Sequence, residues 1–216
     1  MNSIMICAIL LHGLGRGPGS LNKMQYALES RGYVVWNEGY DSTSAPVEEL
    51  SPVVGQAMRF CEERGATRID FVTHSMGGIL VRHYFQNHSA EKVGAVVMLA
   101  PPNHGSEIVD NYRDSWWFQW GMGPAAQQLG TEPGSLPNRL APIPVNVGVI
   151  AGTRTSDPWF YFLFSGDNDG KVSVESTKLA EMKDHLTVRA GHTFLMRSNE
   201  VIRQTLYFLD NLSFRR

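Results

Sequence analysis

The chain has 216 residues, enough for one domain with a sizeable core. Apolar residues make up 43% of it and charged residues 19%, a balance that excludes a disordered chain. A net charge of −2 with no basic run gives no electrostatic reason for nucleic acid or an anionic membrane as a partner, and no stretch of about 18 apolar residues could span a bilayer.

The first elements are strongly patterned. Ile4 to Leu11 reads as a buried strand; it lacks a basic n-region and a cleavage site, so a signal peptide is not expected. Cys7 and Cys61 sit in apolar patterns and are predicted to be two buried free thiols, which points to a cytoplasmic location. Ser20 is positioned to cap a helix with Leu21, Met24 and Leu28 on one face, stopped by Gly32. Tyr33 to Trp36 is a second strand. Ser51-Pro52 predicts an N-cap followed by proline at the first helical position. Val54, Met58 and Cys61, at i, i+4 and i+7, form that helix's buried stripe, and Gly65 ends it.

The run Ile69-Asp70-Phe71-Val72 is a third strand, followed by a helix carrying Ile79, Leu80 and Tyr84 and by the strand Val93 to Leu99. The alternation breaks between Pro101 and Pro144, a Gly- and Pro-rich segment holding Trp116, Trp117, Phe118 and Trp120. It resumes with a strand from Val145 to Ala151 and a last strand at about Leu186 to Arg189, which leads through Ala190-Gly191 to His192. Ser198 is positioned to cap a final helix that buries Ile202, Leu206 and Leu209. Strands alternating with helices predict an α/β fold in which helices cover both faces of a mainly parallel sheet.

Thr73-His74-Ser75-Met76-Gly77-Gly78 joins the third strand to its helix. A sharp strand-to-helix turn exposes a serine hydroxyl at the end of a sheet, and small residues after it let the helix start close behind. Ser75 is therefore the candidate nucleophile; by itself it could equally be a helix cap. A serine needs a base, and seven histidines compete. His74 adjoins Ser75 and is assigned a supporting or structural place. His83 and His88 fall on a helix in ordinary surface contexts. His104 and His185 are rivals. His192 is better placed, between the last strand and the last helix, where a loop can turn to the sheet's C-terminal edge. The acid that orients it comes from Asp157, Asp167, Asp169 and Asp184. Asp169 lies in the tight turn Gly166-Asp167-Asn168-Asp169-Gly170, which could also be a plain solvated turn; a calcium loop is discounted for lack of the distal glutamate.

His12-Gly13-Leu14-Gly15 follows the first strand. In a serine hydrolase this loop would aim the Leu14 N–H at a developing oxyanion, with the Met76 N–H as second donor. A dinucleotide loop is the competing reading. Pro18 replaces the third glycine of that fingerprint and no acidic residue ends the second strand at the required distance, so no cofactor is expected, nor a metal.

These motifs resemble the α/β-hydrolase superfamily, in particular small bacterial lipase- and carboxylesterase-like members, over nearly the whole chain. The residues that carry the resemblance are His12-Gly13-Leu14-Gly15, Thr73 to Gly78, Leu99-Ala100-Pro101-Pro102-Asn103-His104-Gly105-Ser106, Asn168-Asp169-Gly170-Lys171-Val172 and Gly191-His192-Thr193. The resemblance implies Ser75 as nucleophile, Asp169 as acid, His192 as base, and Leu14 with Met76 as oxyanion hole. Two departures stand out. Thr73 replaces the first elbow glycine, and the chain begins at what would be the third strand of the full fold, which implies a minimal sheet of about six strands.

The segment at about 106–143 is expected to be a lid-like or cap-like insertion in a single hydrolase domain spanning 1–216. His12, His104, Trp116, Trp117 and Trp120 are the expected substrate contacts; the tryptophans either wall an acyl site or pack the insertion onto the core. The expected function is a serine hydrolase cleaving carboxylic esters of lipid-like or short-to-medium acyl chains through an acyl-enzyme, with a small-molecule or lipid ester as partner and peripheral lipid contact allowed. An acyltransferase or thioesterase would use the same residues, and a non-catalytic binding module is the alternative of another class. Oligomeric state is left open.

Overall fold

The computed structural model describes residues 5–155 and 158–216. Six strands form one sheet: β1 (Ile6–Leu11), β2 (Val34–Trp36), β3 (Arg68–His74), β4 (Val93–Leu99), β5 (Asn146–Gly152) and β6 (Asp184–Val188). Their order is β2-β1-β3-β4-β5-β6, and every neighbouring pair is parallel. This is the α/β architecture with a parallel sheet that the alternation predicts, and its six strands match the minimal sheet that the resemblance implies. Parallel strands need crossover connections, and α1 (Asn22–Glu29), α3 (Pro52–Glu63) and α4 (Met76–Tyr84) lie in the first three; α9 (Asn199–Asn211) follows the last strand.

Both sheet faces are buried, which is why the strands read as continuous apolar runs. In β1, Cys7, Ile9 and Leu11 point to one face and pack with Val54, Ala57 and Cys61 of α3 and Ile79 and Leu80 of α4. Ala8 and Leu10 point to the other face, against Met24 and Leu28 of α1 and Val201, Phe208 and Leu209 of α9. A one-residue slip of β1 would exchange these two sets.

Three local expectations need correction. Cys7 and Cys61 form a disulfide, with Cα atoms 5.7 Å apart, and are not free thiols. The stripe that placed Cys61 on the inner face of α3 set it opposite Cys7 of β1. The disulfide removes the thiol argument for a cytoplasmic location. Ser51 stands at the N-cap of α3 with Pro52 first in the helix, as expected, but its side chain makes no capping hydrogen bond. It ends a separate turn, α2 (Val47–Leu50), and its Oγ shares a 2.8 Å hydrogen bond with His83 Nδ1. Likewise Ser20 closes a 3-10 turn, its hydroxyl donating to Gly17 O at 2.7 Å, and α1 starts two residues later.

The segment between β4 and β5 is helical where no regular pattern was legible. It holds α5 (Glu107–Tyr112), α6 (Trp116–Gln127) and α7 (Leu136–Arg139), and Gly123-Pro124 interrupts α6. Buried Arg82 of α4 ties this segment to the body, donating to the backbone oxygens of Asn103, Pro137 and Leu140 at 2.9–3.1 Å. Among the described residues, no helix is long and apolar enough to cross a membrane.

Candidate active site

The C-terminal ends of β1 and β3 and the segments that follow β4, β5 and β6 converge on a cavity of about 260 Å³. Such an edge is where ligands bind in open parallel sheets. Ser75 joins β3 to α4 with φ +53° and ψ −124°, a left-handed backbone for a residue with a Cβ. Strain of that kind costs roughly 1–3 kcal/mol and persists only where the surroundings hold it. Here the Ser75 N–H donates to Leu99 O of β4 at 2.8 Å, and Ser75 O accepts from Gly78 N–H at 3.0 Å.

Glycines after the turn have a steric reason. A Cβ on Gly77 would stand 2.6 Å from Leu11 O, so only glycine lets α4 start hard against the end of β1. A Cβ on Gly78 would lie 3.3 Å from Thr73 Oγ1, so Thr73 takes the place of the usual first glycine because the residue facing it is bare. Gly13 is equally constrained, since its Cβ would stand 2.9 Å from Ser75 Cβ. The loop Gly13-Leu14 therefore runs directly alongside the serine.

Asp169 and His192 meet at 2.7 Å, Oδ2 to Nδ1, both almost fully buried. The carboxylate is fixed by its own turn: Oδ1 accepts the N–H groups of Lys171 at 3.0 Å and Val172 at 2.9 Å, and Asp169 O accepts His192 N–H at 3.0 Å. With Oδ1 held by the backbone, Oδ2 is left for the imidazole, which places the His192 proton on Nδ1 and its lone pair on Nε2. His192 and Ser75 both line the cavity.

The other candidates are engaged elsewhere. His185 shares a hydrogen bond with Thr177 Oγ1 at 3.1 Å, and burial lowers its pKa. His104 is exposed, with Nδ1 against Asn138 Oδ1 at 2.7 Å. His83 pairs with Ser51, and His88 stacks on Tyr84 at 3.8 Å. Asp184 accepts from Phe214 N–H and His185 N–H. Asp167 is exposed, and Asp157 lies outside the described residues.

His12 does not line the cavity. It is buried, stacks on Tyr40 at 4.4 Å and donates from Nδ1 to Gly13 O at 2.9 Å, while Nε2 accepts Tyr40 N–H at 3.3 Å. Burial lowers its pKa, so it stays neutral and braces the Gly13-Leu14 loop. His104, Trp116 and Trp120 also lie outside the lining; the two tryptophans face solvent at 77% and 88% exposure, because i and i+4 share the outer face of α6. Trp117 does line it, with Leu14, Ile108, Phe118, Met122, Ala126, Leu129 and Phe160. Ile108, Val109 and Phe160 also line it without a sequence motif of their own, and so do Ser106 and Lys171, which the sequence offers only as parts of the motifs that carry the resemblance. The available signal was Ser106 followed by Ile108-Val109, a helix start with an apolar face: Ser106 Oγ accepts Ile108 N–H and itself donates to Lys171 O at 2.6 Å. That second bond ties the start of α5 to the turn that carries Asp169.

A profile of the alpha/beta hydrolase fold matches residues 9–133, more than half of the chain, and the chain belongs to that family. Its fold is shared with Bacillus licheniformis lipase BlEst2 in its mature form, at 18% identity and TM-score 0.82, over 96% of this chain and 93% of that one. It is shared too with the metagenomic carboxyl esterase MGS0156, at 16% identity and TM-score 0.68, over 98% of this chain and 76% of that one. Phospholipase PlaB from Legionella pneumophila matches at 22% identity and TM-score 0.64, over 81% of this chain and 46% of that one. No curated protein sequence matches the chain significantly.

Proposed function

We propose that the protein is a serine hydrolase of carboxylic esters, with Ser75 as nucleophile, His192 as base and Asp169 as the acid that orients it. The observation that carries this reading is the strained Ser75 backbone opening onto the same cavity as a histidine whose Nδ1 is held by a buried carboxylate. His192 Nε2 takes the Ser75 proton as Oγ attacks the ester carbonyl, and returns it to the departing alcohol. Water then attacks the acyl carbonyl while His192 removes its proton, the bond to Ser75 Oγ breaks, and His192 gives the proton back to Oγ as the acid leaves. The oxyanion is received by the N–H groups of Leu14 and Met76. Met76 opens α4, so its N–H has no partner within the helix, and the helix dipole favours negative charge there.

The apolar lining contributed by α5 and α6 supports an uncharged acyl group, and residues 106–143 serve as the cap that walls it. That the similarly folded proteins include a lipase and a carboxyl esterase agrees with this substrate class. The test is turnover of p-nitrophenyl esters of graded chain length by the wild type and Ser75→Ala. The reading requires hydrolysis by the first and none by a folded Ser75→Ala; turnover retained in the variant refutes it.

A further inference from the structure

His74 ends β3, immediately before Ser75, and its imidazole is 1% exposed. Its Nε2 lies 3.0 Å from the backbone carbonyl oxygen of His192. A carbonyl only accepts, so His74 carries its proton on Nε2. Its Nδ1 has no hydrogen-bond partner among the described residues. The two rings lie with centroids 4.8 Å apart, tilted by 49°. His192 is thereby held on both sides of its backbone: its N–H donates to Asp169 O at 3.0 Å, and its carbonyl accepts from His74. Asp169 fixes one side of the loop that carries the base, and His74 fixes the other to the strand that carries the nucleophile.

We infer that His74 is a positioning residue: its Nε2–H bond to the His192 carbonyl sets where the base stands relative to Ser75. This rests on the reading of His192 as the base. Neutrality is part of the device. Burial first, and then the adjacent His192, hold the His74 pKa well below the ordinary 6.5, against the opposing effect of its bond to the His192 carbonyl. An imidazolium can therefore form on His192 during turnover with no second positive ring beside it. Without the donor, the His192 carbonyl loses its tie to the end of β3, and the loop shifts. A displacement of the order of 1 Å in a reacting group costs roughly 10²-fold in rate.

The test compares His74→Leu, which removes the donor, with His74→Gln, whose amide nitrogen reaches the place of Nε2, and His74→Asn, whose shorter amide does not. Three quantities are read: kcat and KM on a p-nitrophenyl ester, thermal midpoint, and the downfield proton NMR signal of the His192–Asp169 hydrogen bond. The expected result for His74→Leu and His74→Asn is a kcat lower by roughly 10- to 100-fold with KM nearly unchanged, and a broadened downfield signal. His74→Gln is expected to restore both kcat and the signal. Should His74→Leu fail to fold, the Gln–Asn contrast carries the test. The inference is overturned if the donor-less variants keep kcat and signal, or if Gln is as impaired as Asn at the same thermal midpoint. A wild type that shows the signal but turns over no ester would refute the proposed function alone, because the signal still reports on His74.

Discussion

Asp169→Asn isolates the orienting role of the carboxylate with little change in shape. In the wild type, Oδ1 accepts two backbone N–H groups and Oδ2 accepts from His192 Nδ1. An asparagine has one oxygen and one NH₂. The two backbone donors claim the oxygen, which leaves the NH₂ facing His192. The imidazole must then accept at Nδ1 and carry its proton on Nε2, so it cannot accept from Ser75. The loop stays in place, because the backbone bonds of Asp169 O and N–H do not involve the side chain. The expected loss is on the order of 10⁴ in kcat, about 5 kcal/mol of barrier. The assay is steady-state hydrolysis of p-nitrophenyl butyrate, with circular dichroism and thermal melting to confirm an intact fold. A folded variant with less than about tenfold loss would refute the orientation argument; an equal loss in Asp167→Asn would point to the wrong acid.

Other consequences concern the wall, the buried histidines and the disulfide. Trp117→Ala should lower kcat/KM for longer acyl chains by roughly tenfold or more, as the loss of apolar contact worth about 1–3 kcal/mol implies, while Trp116→Ser and Trp120→Ser leave the chain-length profile on soluble esters unchanged. His74, His12 and His185 all have pKa values lowered by burial from the ordinary 6.5, so the unfolded chain binds more protons below that pH. Stability should therefore be fully present above about pH 7 and fall as pH drops through 6.5 towards 5, by up to about 1.4 kcal/mol per pH unit for each histidine. Urea midpoints across that range check it, and His74→Gln should flatten part of the slope. The Cys7–Cys61 bond closes a loop of 54 residues, for which chain entropy gives about 4 kcal/mol. Denaturation of the double Cys→Ala variant should show a drop of that order; an unchanged midpoint would mean the bridge adds nothing.

The strands and the elbow were legible because their signals are local. A strand buried on both faces is an apolar run whatever its neighbours, and the steric need for Gly77 and Gly78 is written directly after Ser75. The acid was harder. Four aspartates stood in suitable loops, and what sets Asp169 apart from Asp167 and Asp184 is an Oδ2 left free by its own turn and 2.7 Å from His192 Nδ1, a long-range contact that no spacing reveals. The disulfide was misjudged for a related reason: Cys7 and Cys61 each fit an apolar pattern, and only the packing of α3 on β1 sets them opposite each other. Ser51 and Ser20 carried cap-like signals that the backbone used for neighbouring turns. Between Pro101 and Pro144 glycine and proline hid short helices. The aromatic run there was visible, yet which ring faces the cavity depends on helix phase, so Trp117 lines it while Trp116 and Trp120 do not.

The most direct measurement is covalent labelling by a fluorophosphonate probe followed by peptide mass spectrometry. The account predicts one adduct per chain, on Ser75, absent from Ser75→Ala and strongly slowed in His192→Ala. An unlabelled wild type, or an adduct on another serine that accompanies ester turnover, would contradict it.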